Sequence, residues 1–409
     1  MADYLRQVMP ENDSDSEALP RKSEQASLAW AEYTANFEMG LESSKLKNNK
    51  NMPEAFLLPN GYPDYLRLIL TSRVYDVVTE TPLTPVVNIS NRLGCKVLLK
   101  REDLQPVFSF KLRGAYNKMA HLDPRDCWRG VVTYSTGNHA QGVAYSARKL
   151  RIPATIVMPS GTPDIMHMNV SRLGGSVILH GADLDTAKAE AERLEKIYNL
   201  ISIPPLDDPY VIAGHGTIGM ELLHQISSKN LEAVFCCAGE GSLIAGIGIY
   251  LKRIAPHVNI IGVEMHNPKA TVKSLEGVKY TTLKDAGLFA RCATVKTAGR
   301  ESYRIFQEVV SEVIEVTMDE TFGATKDIFE DTRAIIEPAG ALVLAGLKKW
   351  VSQNPSVNQD RCLVAIASGA NVDFDHLRLI TERASIAENK GGLHEINGVS
   401  RNEEPYLLS

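Results

Sequence analysis

Ser109-Phe110-Lys111-Leu112-Arg113-Gly114 sets a lysine between an aromatic and an apolar residue. A lysine amine in such surroundings loses hydration and can attack a carbonyl, forming a Schiff base. Most lysines are solvated surface charges, and residue pattern alone does not separate Lys111 from the others. Three further segments combine small residues with a hydrogen-bonding side chain: Ser135-Thr136-Gly137-Asn138-His139, Gly239-Glu240-Gly241-Ser242 and Ser368-Gly369-Ala370-Asn371. A Gly-rich turn lets backbone approach an anion closely, and the start of the following helix offers unpaired N–H groups and the positive end of a dipole. One such turn is commonplace. Three on one chain point to a phosphorylated or carboxylated ligand.

Elements must bring these groups together. Short runs rich in Val and Ile predict strands over Lys96–Leu99, Gly130–Tyr134, Ala154–Met158, Ser176–His180, Leu231–Cys237, Asn259–Glu264 and Cys362–Ala367. Between them, helices are predicted over Asn138–Leu150, Asp183–Tyr198, Ser242–Ile254, Glu320–Arg333 and Pro338–Val351. Near-continuous apolar strands suit a sheet covered on both faces, and their alternation with helices predicts an α/β fold of βαβ units. Ligands of such sheets bind at the carboxyl ends of the strands, where all three turns fall. Pro204-Pro205 and Asp207-Asp208-Pro209 break the pattern and mark a crossing between two lobes.

The ordered motifs resemble those of fold-type II pyridoxal-phosphate enzymes. Arg101-Glu102-Asp103 precedes the lysine segment, and Ala140-Gln141-Gly142 continues the first turn. Ala213-Gly214-His215-Gly216-Thr217 and Glu337-Pro338-Ala339-Gly340-Ala341 then follow in family order before Ser368–Asn371. The resemblance covers Tyr62–Glu388 and lies within the serine/threonine dehydratase branch, in particular the catalytic part of its fungal biosynthetic members. It implies two lobes, each a mostly parallel sheet flanked by helices: 53–100 with 205–388 as the large cofactor-binding lobe, and 101–204 as the small one. It implies pyridoxal 5'-phosphate as cofactor, held by Lys111 as a Schiff base, with Phe110 beside the ring and Asn138 on the ring hydroxyl. Gly239, Glu240, Gly241 and Ser242 would form the phosphate loop, and Ser368 would face the ring nitrogen. The N–H groups of Ser135, Thr136, Gly137 and His139 would take the substrate carboxylate. The implied reaction converts a β-hydroxy amino acid, threonine or serine-like, to a 2-oxo acid and ammonia through an aminoacrylate-type intermediate. A homodimer or homotetramer is implied.

The sequence also departs from the family pattern. The phosphate loop is usually four glycines, and Glu240 places a carboxylate there. Two unit charges 4 Å apart interact by about 4 kcal/mol at an effective dielectric of 20. Met166 stands where Lys is usual, His215 where Gln is usual, Leu206 where an aromatic is usual, and Arg291-Cys292 where Asp-Gly is usual. These differences keep open an altered substrate, a β-replacement or condensation at the same intermediate, and a weakly active or non-catalytic relative. A cation site near Glu264, found in racemases of the family, looks incomplete.

Composition agrees with an enzyme of small molecules. The net charge is −5 with 23% charged residues, which argues against a nucleic-acid partner. No run of 18 apolar residues appears, so no membrane-spanning helix is predicted. The six cysteines have apolar flanks and no zinc spacing, and the histidines form no metal-ligand pair, so no metal is expected. Residues 1–52 carry nine acidic and six basic residues and read as a flexible tail; 389–409 reads as a second tail. The acidic run Asp13–Glu17 is unlike a transit peptide, and a cytoplasmic catalytic module without a regulatory domain is the expectation.

Overall fold

The computed structural model describes residues 52–239, 241–266, 300–356, 358 and 360–390. Its strands are β1 (Leu83–Pro85), β2 (Lys96–Arg101), β3 (Val131–Tyr134), β4 (Ala154–Met158), β5 (Ser176–Leu179), β6 (Ile201–Ser202), β7 (Leu231–Cys237), β8 (Asn259–Met265), β9 (Glu312–Val316) and β10 (Cys362–Ala367). Its helices are α1 (Tyr65–Leu70), α2 (Val87–Leu93), α3 (Lys111–Ala120), α4 (Asn138–Leu150), α5 (Asp164–Arg172) and α6 (Leu184–Tyr198). They continue with α7 (Pro209–Gln225), α8 (Ser242–Ile254), α9 (Arg300–Val309), α10 (Met318–Thr332), α11 (Pro338–Gln353) and α12 (Leu377–Lys390).

Two sheets form. One has six strands in the order β1-β2-β10-β7-β8-β9, parallel except for β1; the other has four parallel strands in the order β5-β4-β3-β6. In the larger sheet, Leu98, Val234, Ile260, Val364 and Ile366 face one core with α1, α7 and α8. The alternate residues Val97, Leu99, Phe235, Ile261, Leu363 and Ala365 face a second core with α10 and α11. Both faces are dry, which is why these strands read as continuous apolar runs rather than alternating ones. The smaller sheet is built the same way, with α3 and α4 against one face and α6 against the other.

The α/β expectation holds, and all seven predicted strands and all five predicted helices are present. Helix boundaries follow caps. Asp183 accepts from the Thr186 N–H, so it caps α6 rather than opening it. Thr317 and Glu320 form a capping box that starts α10 at Met318, ahead of the predicted Glu320. The predicted tails lie outside the described residues except at their inner edges, where α12 runs to Lys390.

Candidate active site

The chemistry collects where strands end. β10 lies between β2 and β7, so the Ser368 turn and the Gly239 turn leave adjacent parallel strands side by side. The lysine segment is stitched to the first of them: Ser109 pairs with Gly369, and the Phe110 N–H donates to the Ser368 carbonyl at 3.1 Å. Lys111 then opens α3 and is 7% exposed. Its Nζ donates to the Pro205 carbonyl at 3.2 Å and lies 5.3 Å from the centre of the Phe110 ring. α3 can reach this place because Gly114 and Gly214 let it cross α7 closely. A Cβ on Gly214 would stand 2.6 Å from the Arg113 carbonyl, and one on Gly114 would stand 2.5 Å from His215 Nε2.

The Gly239 turn has the form of an anion cradle. Gly241 takes φ +82° and caps α8, a conformation that a side chain resists. Ser242 opens that helix with its hydroxyl buried and unpartnered among the described residues. A buried orphan hydroxyl beside the free N–H groups of a helix start fits a phosphate. Glu240 lies outside the described residues, as do Arg291 and Cys292. The third turn closes β3: the Ser135 N–H donates to the Val157 carbonyl at 3.2 Å, and the Ser135 hydroxyl accepts from the Gly137 N–H at 3.3 Å. Thr136 and Gly137 are half-buried there, and Asn138 opens α4.

Two histidines lie close by, and both are packed. His139 Nε2 donates to the Ile203 carbonyl at 3.1 Å, and its ring is 2% exposed. Burial, and then the charge of Lys111, pushes it down to about 3. His215 is fully buried edge-on to Phe110, ring centres 4.8 Å apart, and burial holds it well below its ordinary value. Both rings are neutral at physiological pH, so neither adds a cation beside Lys111. Met166 sits half-buried on α5, and Leu206 follows the Pro205 carbonyl that receives Lys111.

Two side chains without an expected role stand beside Asn138. Its amide nitrogen donates to Glu337 Oε1 at 2.7 Å, and its oxygen accepts from Asn371 Nδ2 at 2.6 Å. The Glu337 motif is visible in sequence, but its carboxyl carried no expected role, because the Asn138 it meets lies far away in the chain. Burial pushes the Glu337 carboxyl up to about 7, against Asn138, the Asn371 backbone and Lys111, which pull it down. A raised carboxyl favours the folded state when protonated. Its contribution is therefore full below the ordinary value of 4.5 and is lost as pH climbs through about 7. Glu337→Gln should gain on the parent across that window by up to ~3 kcal/mol. Thermal unfolding of the cofactor-free proteins at acid and at neutral pH measures this; a difference that does not change with pH would contradict it.

Beneath Lys111 lies a charged cluster that sequence reading did not find. Arg113 is fully buried and binds both oxygens of Glu102 at 2.7 Å and both of Glu221 at 2.6 and 3.0 Å. Lys100 Nζ reaches Glu221 Oε2 at 2.6 Å. A cavity of about 360 Å3, lined by Lys96, Ile226, Asn230, Asp360 and Cys362, lies at the opposite ends of the strands and takes in none of these groups.

The residues fit a phosphorylated aldehyde cofactor: an amine buried at the strand ends, an orphan hydroxyl in an anion cradle, and an oriented amide between them. Residues 74–369 match the family model described as "Pyridoxal-phosphate dependent enzyme". The chain is 56% identical over 340 residues to a threonine dehydratase, mitochondrial, of Schizosaccharomyces pombe, covering 83% of this chain and 57% of that protein. It is 51% identical over 353 residues to a threonine dehydratase, mitochondrial, of Saccharomyces cerevisiae, covering 86% and 61%. The chain thus spans little more than half the length of these curated relatives. Among solved structures, the processed form of threonine deaminase isoform 2 from Solanum lycopersicum aligns with a TM-score of 0.74 and 42% identity, covering 79% of this chain and 88% of that one. The cytoplasmic expectation is corrected, since both fungal relatives are named mitochondrial. It rested on the acidity of Asp13–Glu17 alone, a segment outside the described residues. Motif order, strand-end geometry and these matches lead to one conclusion: the chain belongs to the pyridoxal-phosphate dependent enzyme family.

Proposed function

We propose that the chain deaminates a β-hydroxy amino acid, threonine first and serine second, to the 2-oxo acid and ammonia in mitochondria. The observation that carries the reading is the burial of Lys111 at the junction of the Ser368 turn with the lysine segment, in a chain whose relatives are named threonine dehydratases. The cofactor, when bound, supplies an electron sink for charge leaving the substrate α-carbon. The chain's residues do the rest. Lys111 Nζ would hold the cofactor, and its amine is the group placed to carry the substrate α-proton. Of the four backbone N–H groups expected to take the substrate carboxylate, those of Thr136 and His139 are placed to do so, while those of Ser135 and Gly137 are given to the Val157 carbonyl and the Ser135 hydroxyl. Gly239, Gly241 and Ser242, with Glu240 in the same loop, would hold the phosphate; Phe110 would pack beside the ring and Asn138 would donate to its oxygen. Ser368 would offer a neutral hydroxyl to the ring nitrogen, which would not force protonation there and so would suit elimination better than transamination.

The same reading takes the two sheets as two lobes, 53–100 with 205–388 and 101–204, and takes the active species as a homodimer or homotetramer. The protein loaded with pyridoxal phosphate is to be offered a panel of amino acids, with ammonia and 2-oxo acids followed by mass detection. Threonine should give 2-oxobutanoate and serine should give pyruvate. Loaded protein that releases ammonia from no β-hydroxy amino acid would overturn the reading, and product only with an added nucleophile would redirect it to β-replacement.

A further inference from the structure

We propose that Asn371 and Glu337 are positioning residues that fix the Asn138 amide with its remaining N–H turned to the cofactor ring oxygen; this rests on the proposed function. The orientation starts at a backbone carbonyl. The Val107 oxygen can only accept, and it lies 3.0 Å from Asn371 Nδ2, so the Asn371 amide has its nitrogen on this side. The same nitrogen gives its second hydrogen to the Asn138 side chain at 2.6 Å, which must therefore present oxygen. The Asn138 nitrogen then faces Glu337 Oε1 at 2.7 Å and spends one hydrogen there. One hydrogen is left, with no acceptor among the described residues.

This order does not depend on the proton of Glu337. Turning the Asn138 amide over would set its nitrogen against the Asn371 nitrogen, two donors face to face, whatever Glu337 carries. Glu337 is itself seated: its N–H donates to the Gly369 carbonyl at 3.0 Å, and a Cβ on Gly369 would stand 2.5 Å from Glu337 Oε1. The Ser368–Asn371 turn thus leaves space for the carboxyl and supplies the amide that orders Asn138. A donor suits a ring oxygen that carries negative charge, because a charge-assisted hydrogen bond is stronger than a neutral one. A carbonyl in its place would repel that oxygen.

The test is a double-mutant cycle read by cofactor binding. Parent, Asn371→Ala, Asn138→Ala and the double variant are titrated with pyridoxal phosphate, following visible absorbance, and their thermal unfolding is recorded. Asn371→Ala should weaken binding roughly tenfold and shift the visible band. Asn138→Ala should weaken it at least as much, and the double variant should bind no worse than Asn138→Ala alone, since Asn371 acts only through Asn138. Unchanged affinity and spectrum in Asn371→Ala, or losses that multiply in the double variant, would overturn the inference. Asn371→Asp repeats the cycle at this half-buried site if Asn371→Ala does not fold, and failure of both to fold counts against a positioning role. Failure of the proposed function is read separately, on the parent: no cofactor uptake, or uptake without turnover.

Discussion

Lys111→Ala is expected to cut kcat for threonine by roughly 10³-fold or more while the protein stays folded. The size follows from two losses at one atom. The amine is the group proposed to hold the cofactor covalently, and it is the base proposed to take the α-proton. Its contacts include the Pro205 carbonyl and the Phe110 face, each worth about 1 kcal/mol. Lys111→Arg sharpens the comparison. It keeps the positive charge near His139 and His215, but a guanidinium is neither a nucleophile nor a base at neutral pH. Both variants should therefore lose kcat alike, and their unfolding temperatures should stay close to the parent's. Steady-state kinetics with threonine, together with thermal unfolding, measures both. Retention of turnover within tenfold of the parent in either variant would assign the chemistry to another group.

What the sequence made legible, and what it hid, divides along burial. Strands of the larger sheet announced themselves because both faces are dry: Val97 to Leu99 and Leu363 to Ile366 are apolar without interruption. The three turns were legible for a different reason, since small residues at a strand end are visible one by one. By contrast α3 and α7 left no periodic signature. α3 is buried almost all round, including Lys111, Arg113 and Asn117, so it has no polar face to contrast with an apolar one. α7 reads Ala-Gly-His-Gly-Thr-Ile-Gly, glycines that suggest a loop until the crossing with α3 shows why they are needed. The short edge strands β1 and β6 are below the length at which alternation can be counted. Side-chain partnerships were hidden altogether. Glu337 and Asn138 stand 199 residues apart in the chain, and Glu102 and Glu221 meet only through Arg113. No spacing rule connects residues so distant, so the motifs named the turns while the groups that order them came only with the fold.

Arg113→Leu is expected to destabilise the protein by about 3–5 kcal/mol, the cost of leaving buried carboxylates without their partner. Arg113, Glu102 and Glu221 are each fully buried, so water cannot replace the lost guanidinium. Burial drives the Glu102 carboxyl up, and Arg113, Thr81 and Lys100 together outweigh it, leaving it below its ordinary value. Burial likewise opposes the charge on Arg113, and the two carboxylates override it, holding the guanidinium above its ordinary value. With Glu102 depressed, its stabilisation is present above the ordinary carboxyl range and is lost as pH falls through the folded value, so the parent should weaken in acid. Removing Arg113 should reverse that trend, because a carboxyl left buried alone prefers its proton; Arg113→Leu should lose least relative to the parent at low pH and most near neutrality. Arg113→Lys keeps a charge but cannot span both carboxylates with a planar fork, and should fall between the two. Denaturant unfolding across this pH range measures all three, and a uniform penalty with no pH dependence would show that packing alone holds the site. The loss should also reach activity, since Arg113 lies two residues after Lys111 in α3 and binds Glu102 beyond β2 and Glu221 on α7. The charged cluster thereby ties the helix that opens with Lys111 to the sheet carrying the Ser368 turn and to the helix packed against α8, so the amine and the two turns are placed by one buried network.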